Sequence, residues 1–456
     1  MMSFFAGLDA TGVQYSQENA ILEAMARDWT TLNAGLPLAV VFPTSTEEVR
    51  QVLMCCSQHG VAVVPSGGRT GLAGGACSQG QDIILSLEKM NTIHRVDPVD
   101  MLIDVDAGVI TQQVQDSARE VGLMFPLDLA AKGSSQIGGN LATNAGGLKF
   151  IAFGGAREQV LGLEVVLMNG QVLELGHGLR KNNTGYDLQG LFVGSEGTLG
   201  VITRAQLRLV LPTAEQDLVC FGVESFANIQ MLLTECCKHQ VQLSAFEFFT
   251  RQAHEITLQI NGHRLKTPFA EKPPFFVLLE SAMKAELESV MEKGFEEGWL
   301  LDGVLATSNV DKQQLWDLRE SITESLAVSG RVHKNDVSLQ LTHLPTFVEE
   351  LECLEGAIED IQIVLFGHIG DGNIHINYLG PKAMTQVDFY EKVRQIELKV
   401  FEKVQALKGS ISAEHGIGVL KKADLNFSRT PEEITLMREI KKIFDPSHLL
   451  NPGKIF

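Results

Sequence analysis

Three glycine-rich segments in the first half of the chain constrain this sequence more than any other feature. The first, Pro65-Ser66-Gly67-Gly68-Arg69-Thr70-Gly71-Leu72-Ala73-Gly74-Gly75, directly follows an apolar run at 61–64 that reads as a strand. The second is Ile137-Gly138-Gly139-Asn140-Leu141-Ala142-Thr143-Asn144-Ala145-Gly146-Gly147, and the third is Val193-Gly194-Ser195-Glu196-Gly197-Thr198-Leu199-Gly200-Val201-Ile202. Glycine tolerates positive φ and lets a ligand approach the main chain. Successive N–H groups in such turns form anion nests, which suit a pyrophosphate without help from Lys or Arg. One cluster alone reads equally well as a tight turn, but three, each with Asn, Thr or Ser donors, point to a dinucleotide site. No G-x-G-x-x-G occurs in these clusters and no G-x-x-x-x-G-K-[ST] occurs anywhere, so the segments make a dinucleotide site of a non-Rossmann kind or no dinucleotide site at all. The candidate cofactor contacts are Pro65, Gly67, Gly68, Arg69, Thr70 and Gly71; Gly138, Gly139, Asn140, Thr143, Asn144 and Gly146; and Glu196, Gly197, Gly200 and Ile202.

Composition narrows the partners. The 456 residues carry 37 Lys+Arg against 56 Asp+Glu, a formal charge of −19 that repels nucleic acid and anionic membranes. A hydrophobic share of 45% with 20% charged residues is globular and can bury a large core. Seven cysteines without a CxxC encode neither a zinc ribbon nor a cysteine-held iron–sulfur cluster; Cys55-Cys56 and Cys236-Cys237 read as small buried thiols in a reducing compartment. The longest apolar runs, such as 36–43, fall far short of the roughly 18 residues a membrane span needs. With no basic residue before Arg27, the N-terminus reads as neither secretory signal nor transit peptide, and a soluble cytoplasmic protein is expected.

Along the chain, strand-like runs at 38–42, 61–64, 83–87, 102–105, 160–168 and 201–210 alternate with helical segments. A helix is expected after Pro43-Thr44-Ser45-Thr46-Glu47-Glu48 and ends near Gly60; Asn169-Gly170 reads as a hairpin turn. The domain boundary is placed near Pro212. Beyond it, helices at 226–238 and 285–294 alternate with strands at 275–280 and 361–368, which predicts helices on one face of a largely antiparallel sheet. A closing helix is expected at 431–444, stopped by Asp445-Pro446.

The first glycine cluster, ATNAGG at 142–147 and GSEGTLGVIT at 194–203 together resemble the FAD-binding domain of the vanillyl-alcohol oxidase type. GHIGDGNIHINY, SAEHGIG and the closing LLNPGK extend the resemblance over nearly the whole chain. The combination is similar to the branch of D-2-hydroxy-acid dehydrogenases that includes D-lactate dehydrogenase, the glycolate oxidase catalytic subunit and D-2-hydroxyglutarate dehydrogenase. The resemblance implies an α+β chain: an FAD-binding domain over 1–212, an α+β substrate (cap) domain with an antiparallel sheet over 213–410, and a segment over 411–456 that returns to the flavin, with Asn451 near its ring. Some relatives bond the flavin to a His in the first loop. Gly67-Gly68-Arg69-Thr70 has none, so non-covalent FAD is expected.

A second constellation lies in Val364-Leu365-Phe366-Gly367-His368-Ile369-Gly370-Asp371-Gly372-Asn373-Ile374-His375-Ile376-Asn377. With Asp371-Gly372 as a two-residue turn, His368 faces His375 across a hairpin and Asn377 shares their face. Opposed Cβ atoms about 5 Å apart can share a metal. Ser412-Ala413-Glu414-His415-Gly416-Ile417-Gly418 offers a carboxylate as third ligand. Two imidazoles and a carboxylate suit zinc with an open position; manganese or ferrous iron would also fit. The resemblance assigns His368, His375 and Glu414 as metal ligands and His415 as the acid–base residue. Arg319 and Thr323 stand at i and i+4 of a helical stretch whose buried stripe is Leu315, Leu318, Ile322 and Leu326. Spacing alone favours a surface ion pair there. The resemblance instead implies that Arg319, Thr323, Lys334 and Asn377 bind substrate.

The expected reaction is FAD-dependent oxidation of a D-2-hydroxy acid to a 2-oxo acid, with D-2-hydroxyglutarate ahead of D-lactate and glycolate. A metal-dependent hydrolase is the rival from another class, since His, His, Glu and a base also serve hydrolysis; it leaves the glycine clusters unexplained. A separate carrier, an electron-transfer flavoprotein or a quinone-linked partner, is the expected electron acceptor. A homodimer is a candidate assembly.

Overall fold

Thr46–His59 forms a helix because the chain supplies both of its ends. Ser45 caps it by accepting from the Glu48 N–H, Glu48 reaches back to the Thr44 N–H at 2.7 Å, and Gly60 closes it at φ 66°. Val49, Val52, Leu53, Cys55 and Cys56 are its buried stripe. The structure is a computed structural model that describes residues 2–30, 32, 35–267, 269, 271–282, 284–356 and 358–456. In it the chain divides into two compact units, one running to Gly147 and continuing with Phe153–Pro212 and Glu414–Phe456, the other made of Leu148–Ala152 and Thr213–Ala413.

The first unit holds two sheets. One has the order Tyr15–Ser16, Ala39–Val41, Asp82–Ser86, Ala62–Ser66, with the last three strands parallel. The C-terminal segment runs beside Ala62–Ser66: the Val63 N–H donates to the Leu449 carbonyl at 2.8 Å and the Asn451 N–H to the Val63 carbonyl at 2.7 Å. The other sheet is antiparallel, ordered Ile93–Asp97, Leu102–Asp106, Val201–Arg208, Val160–Val166, Val172–Leu175. Its hairpin turns at Asn169-Gly170, with Gly170 at φ 83°. One contiguous core joins both sheets to the Thr46–His59 helix. Pro431–Phe444 is helical, as its pattern predicts.

The second unit is built on a seven-stranded antiparallel sheet, ordered Asp302–Leu305, Asp217–Val223, Phe275–Ser281, Leu243–Thr250, Gln362–Gly367, Asn373–Gly380, Arg331–Ser338. The sequence expectation of helices on one face is not met. Phe249, Phe276 and Phe366 pack with Leu315, Leu318, Ile322 and Leu326 on one side. Phe248, which points the opposite way from Phe249 along the strand, meets Phe226 of the Phe226–Lys238 helix at 5.2 Å between rings. A sheet covered on both faces needs apolar residues at successive positions, which is why Phe275–Ser281 is buried throughout. The helical stretch around Arg319 divides at Ser321 into Asn309–Glu320 and Ile322–Ser329, so Arg319 and Thr323 sit on two helices rather than one. Of the paired cysteines, Cys55, Cys56 and Cys236 are buried as expected, while Cys237 is exposed. No helix among the described residues is long and apolar enough to cross a membrane.

Candidate active site

In the first unit the three glycine clusters converge on one cavity of about 310 Å³, within the usual ~300–1,000 Å³ of ligand pockets. Strand Ala62–Ser66 delivers the first loop, and helix Ile137–Thr143 carries the second. Residues 194–197 form a turn in which Gly194, Glu196 and Gly197 all have positive φ. Pro65, Gly67, Gly68, Arg69, Thr70, Gly71, Gly138, Gly139, Asn140, Thr143, Gly146, Glu196, Gly197, Gly200 and Ile202 all line it. Gly68 is required by packing, since a Cβ there would lie 2.2 Å from the Ser134 carbonyl oxygen. At Gly139 a Cβ would meet nothing within 4 Å. Two buried polar atoms of the lining, Ser66 Oγ and Gln136 Oε1, have no hydrogen-bond partner among the described residues. A cradle with open space and orphaned polar atoms fits a bound polar cofactor.

Two predicted contacts lie off the lining. Asn144 ends the Ile137–Thr143 helix in the left-handed region and accepts from the Arg157 N–H at 3.0 Å. Asn451 is buried, and its Nδ2 donates to the carbonyls of Gly75 at 3.0 Å and Glu196 at 2.7 Å, tying the first and third loops together. Pattern reading misses Asp28, whose carboxylate accepts from the Gly74 N–H at 3.0 Å and lines the cavity. Nothing in the spacing could flag a residue so far upstream of the loop.

His415 and Glu414 also line this cavity. The loop that carries them wraps around the Glu196 carboxylate, which accepts from the Ile417 and Gly418 N–H groups at 2.8 and 2.7 Å. Burial pushes the Glu196 carboxyl above its ordinary value despite those two bonds. Gly416 at φ 79° and Gly418 at φ 49° make the turn possible.

In the second unit the histidine pair forms by a different register from the one expected. His375 lies opposite Phe366, not His368, because strand Gln362–Gly367 ends in a short 3-10 turn, Ile369–Asp371, instead of a two-residue hairpin. His368 stands just beyond the strand, and the two rings still meet edge to face with centroids 5.2 Å apart. Asn377 shares the His375 face, opposite Lys334, with its Nδ2 donating to the Val364 carbonyl at 3.3 Å. Past Ser410, which is bridged to Ser338 of the edge strand, the chain reaches Glu414. Glu414, the third expected ligand, opens the segment of the chain that belongs to the first unit.

Glu247, which pattern reading also misses, sits behind this group. Its Oε1 bonds His368 Nδ1 at 2.8 Å and its Oε2 accepts from Arg319 Nη2 at 2.7 Å. Burial pushes this carboxyl up, but His368 and Arg319 together outweigh it and hold the group below its ordinary value. The available signal was a lone acid inside the apolar run Ala245-Phe246-Glu247-Phe248-Phe249. Arg319 is buried and lies 4.7 Å over the Phe366 ring. Thr323 is half-buried. The Lys334 amine is partly buried, has no ion-pair partner among the described residues, and is pushed below its ordinary value by that burial.

Residues 213–455 match the C-terminal domain of the FAD linked oxidases, and residues 37–176 match an FAD binding domain. The chain belongs to the family of FAD-linked oxidases. It is 45% identical over 445 residues to a D-2-hydroxyglutarate dehydrogenase of Xanthomonas citri pv. viticola, covering 96% of this chain and 93% of that one. A D-2-hydroxyglutarate dehydrogenase of Stutzerimonas stutzeri is 41% identical, over 95% and 94% of the two chains. A mitochondrial D-2-hydroxyglutarate dehydrogenase of Arabidopsis thaliana is 36% identical, over 99% and 82%. Among solved structures, p-cresol methylhydroxylase with substrate bound superposes with a TM-score of 0.78 at 15% identity, over 99% and 96% of the chains. The fold is therefore of the vanillyl-alcohol oxidase type expected from the glycine motifs.

The cavity residues fit FAD. Gly139→Leu is expected to keep the fold, since its Cβ has open space, but to weaken FAD by about 1–3 kcal/mol through overpacking. The flavin-to-protein absorbance ratio after dialysis measures this; an undiminished ratio would place the cofactor away from Gly139.

Proposed function

We propose that this chain is an FAD-dependent dehydrogenase of D-2-hydroxy acids whose preferred substrate is D-2-hydroxyglutarate, oxidised to 2-oxoglutarate. The observation that carries the choice of a diacid is Lys334, a partly buried cation without an ion-pair partner among the described residues, opposite Asn377 on the His375 face. A buried charge needs a counter-charge, and a second substrate carboxylate supplies one where the methyl group of D-lactate cannot.

His368, His375 and Glu414 would hold a divalent cation; two imidazoles and a carboxylate suit zinc. Bound there, the cation would lower the pKa of the substrate hydroxyl as a Lewis acid. The residues of the glycine cavity would hold FAD, which would supply a hydride acceptor for the C2 hydrogen, and its alignment would be the protein's contribution. His415 would remove the hydroxyl proton as general base. Arg319 and Lys334 would hold carboxylates, while Thr323 and Asn377 orient the substrate with neutral hydrogen bonds. A separate acceptor, an electron-transfer flavoprotein or a quinone-linked carrier, would take the two electrons.

The experiment is a substrate panel with a dye acceptor, run with and without chelator. A yellow protein that oxidises D-2-hydroxyglutarate with higher kcat/KM than D-lactate, glycolate or malate supports the reading. A colourless protein unable to take up FAD would overturn the dehydrogenase reading and leave the hydrolase. Lys334→Met should weaken the diacid by about 1.5–3 kcal/mol, the range for a charge-assisted hydrogen bond, and spare D-lactate. Equal damage to both substrates would remove the diacid argument and leave the broader D-2-hydroxy-acid reading standing.

A further inference from the structure

Glu247 is 1% exposed, and its neighbours on either side in the strand are Ala245, Phe246, Phe248 and Phe249. A carboxylate in such a place costs several kcal/mol unless partners compensate it. Here each oxygen has one partner, and both partners belong to the site: Oε1 faces His368 Nδ1 at 2.8 Å, and Oε2 takes Arg319 Nη2 at 2.7 Å. An ionised carboxylate can only accept, so the His368 proton must sit on Nδ1. That leaves Nε2 with a lone pair and the ring held at a fixed angle, edge to face with His375. The Arg319 guanidinium balances the charge of Glu247. Arg319 in turn lies 4.7 Å over the Phe366 ring, which also meets the His375 ring at 5.0 Å between centroids. One buried acid thus braces His368 directly and, through Arg319 and Phe366, stands behind His375.

We propose that Glu247 is the positioning residue of the metal centre: it fixes the tautomer and angle of His368 and orients Arg319 toward substrate. The proposal rests on the metal reading given above and adds to it a residue that touches neither the cation nor the flavin. It explains why an acid is tolerated within Ala245-Phe246-Glu247-Phe248-Phe249. It also explains why the cation beside Glu247 is arginine: a planar guanidinium can bond the carboxylate through one nitrogen, stack on Phe366 and still present further N–H groups.

The test uses the full-length, FAD-loaded protein with its metal removed by chelator. Zn²⁺ affinity is read by competition with a chromophoric chelator, flavin content by absorbance, and KM and kcat at saturating Zn²⁺. Glu247→Gln keeps the volume but can accept from only one of the two partners. It should weaken Zn²⁺ binding by about 10–100-fold, the usual effect of losing such a support, with flavin content unchanged. With Zn²⁺ restored in excess, KM for D-2-hydroxyglutarate should stay raised, because Arg319 has lost its anchor. Glu247→Asp restores the charge on a shorter arm and should recover part of the Zn²⁺ affinity; it also serves where the Gln variant folds poorly. His375→Ala is the control. If it loses Zn²⁺ while Glu247→Gln binds Zn²⁺ like the parent, the positioning role is wrong and the metal reading stands. If His375→Ala also binds Zn²⁺ like the parent, the metal reading itself fails. Zn²⁺ affinity that drops no less in Glu247→Asp than in Glu247→Gln, together with flavin loss in both, would make Glu247 a residue of general stability and overturn the proposal.

Discussion

Replacing His375 with alanine is expected to strip the proposed divalent cation while FAD stays bound, and to lower turnover by about 10²–10⁴-fold, the several kcal/mol that a Lewis acid contributes. The size follows from ligand count. The proposed site has three ligands, the edge-to-face pair His368 and His375 and the carboxylate of Glu414. Removing one leaves an imidazole and a carboxylate, too few to hold a divalent ion tightly. Flavin retention is expected because the residues that line the glycine cavity do not include His375. Metal analysis beside the flavin spectrum decides it: full metal occupancy in His375→Ala would sink the ligand assignment whatever the activity does.

The parts of this site that were legible in the sequence share one property: their chemistry is local in the chain. Ser45, Glu48 and Gly60 write both ends of a helix within sixteen positions, and the helix forms there. The glycine clusters announce positive φ and close backbone approach, and both occur, at Gly194 and Gly197 and at Gly68. The His368–His375 pairing was half legible. Proximity was right, but the register was not, because alternation cannot distinguish a two-residue turn from the 3-10 turn at Ile369–Asp371. What stayed hidden joins distant segments. Asp28 braces a loop some forty residues away, and Glu247 reaches His368 and Arg319 from a strand with no metal-like spacing. The helices on the second face of the seven-stranded sheet stay hidden for a related reason: a continuous apolar strand shows its type in the sequence, but the elements that bury its two faces lie far along the chain.

His415→Asn is expected to keep flavin and metal and to lower turnover by roughly 10²–10⁴-fold, the usual range for a general base. The substitution is aimed at proton transfer, because the loop has anchors besides the imidazole. Its conformation is set by Gly416 and Gly418 at positive φ and by the Glu196 carboxylate, which holds the Ile417 and Gly418 N–H groups. Asparagine offers a hydrogen-bonding side chain in that place but has no group that can take up a proton near neutral pH. Loss of turnover at constant flavin and metal content therefore reports the base and not a displaced loop. Gly418→Ala makes the opposite comparison: a Cβ there would lie 2.1 Å from the Ala73 carbonyl oxygen, so it should disturb the cavity wall and the flavin spectrum together. Wild-type turnover in His415→Asn across the pH range would mean that the substrate hydroxyl loses its proton to another acceptor, and His415 would then be a wall of the cavity and no more.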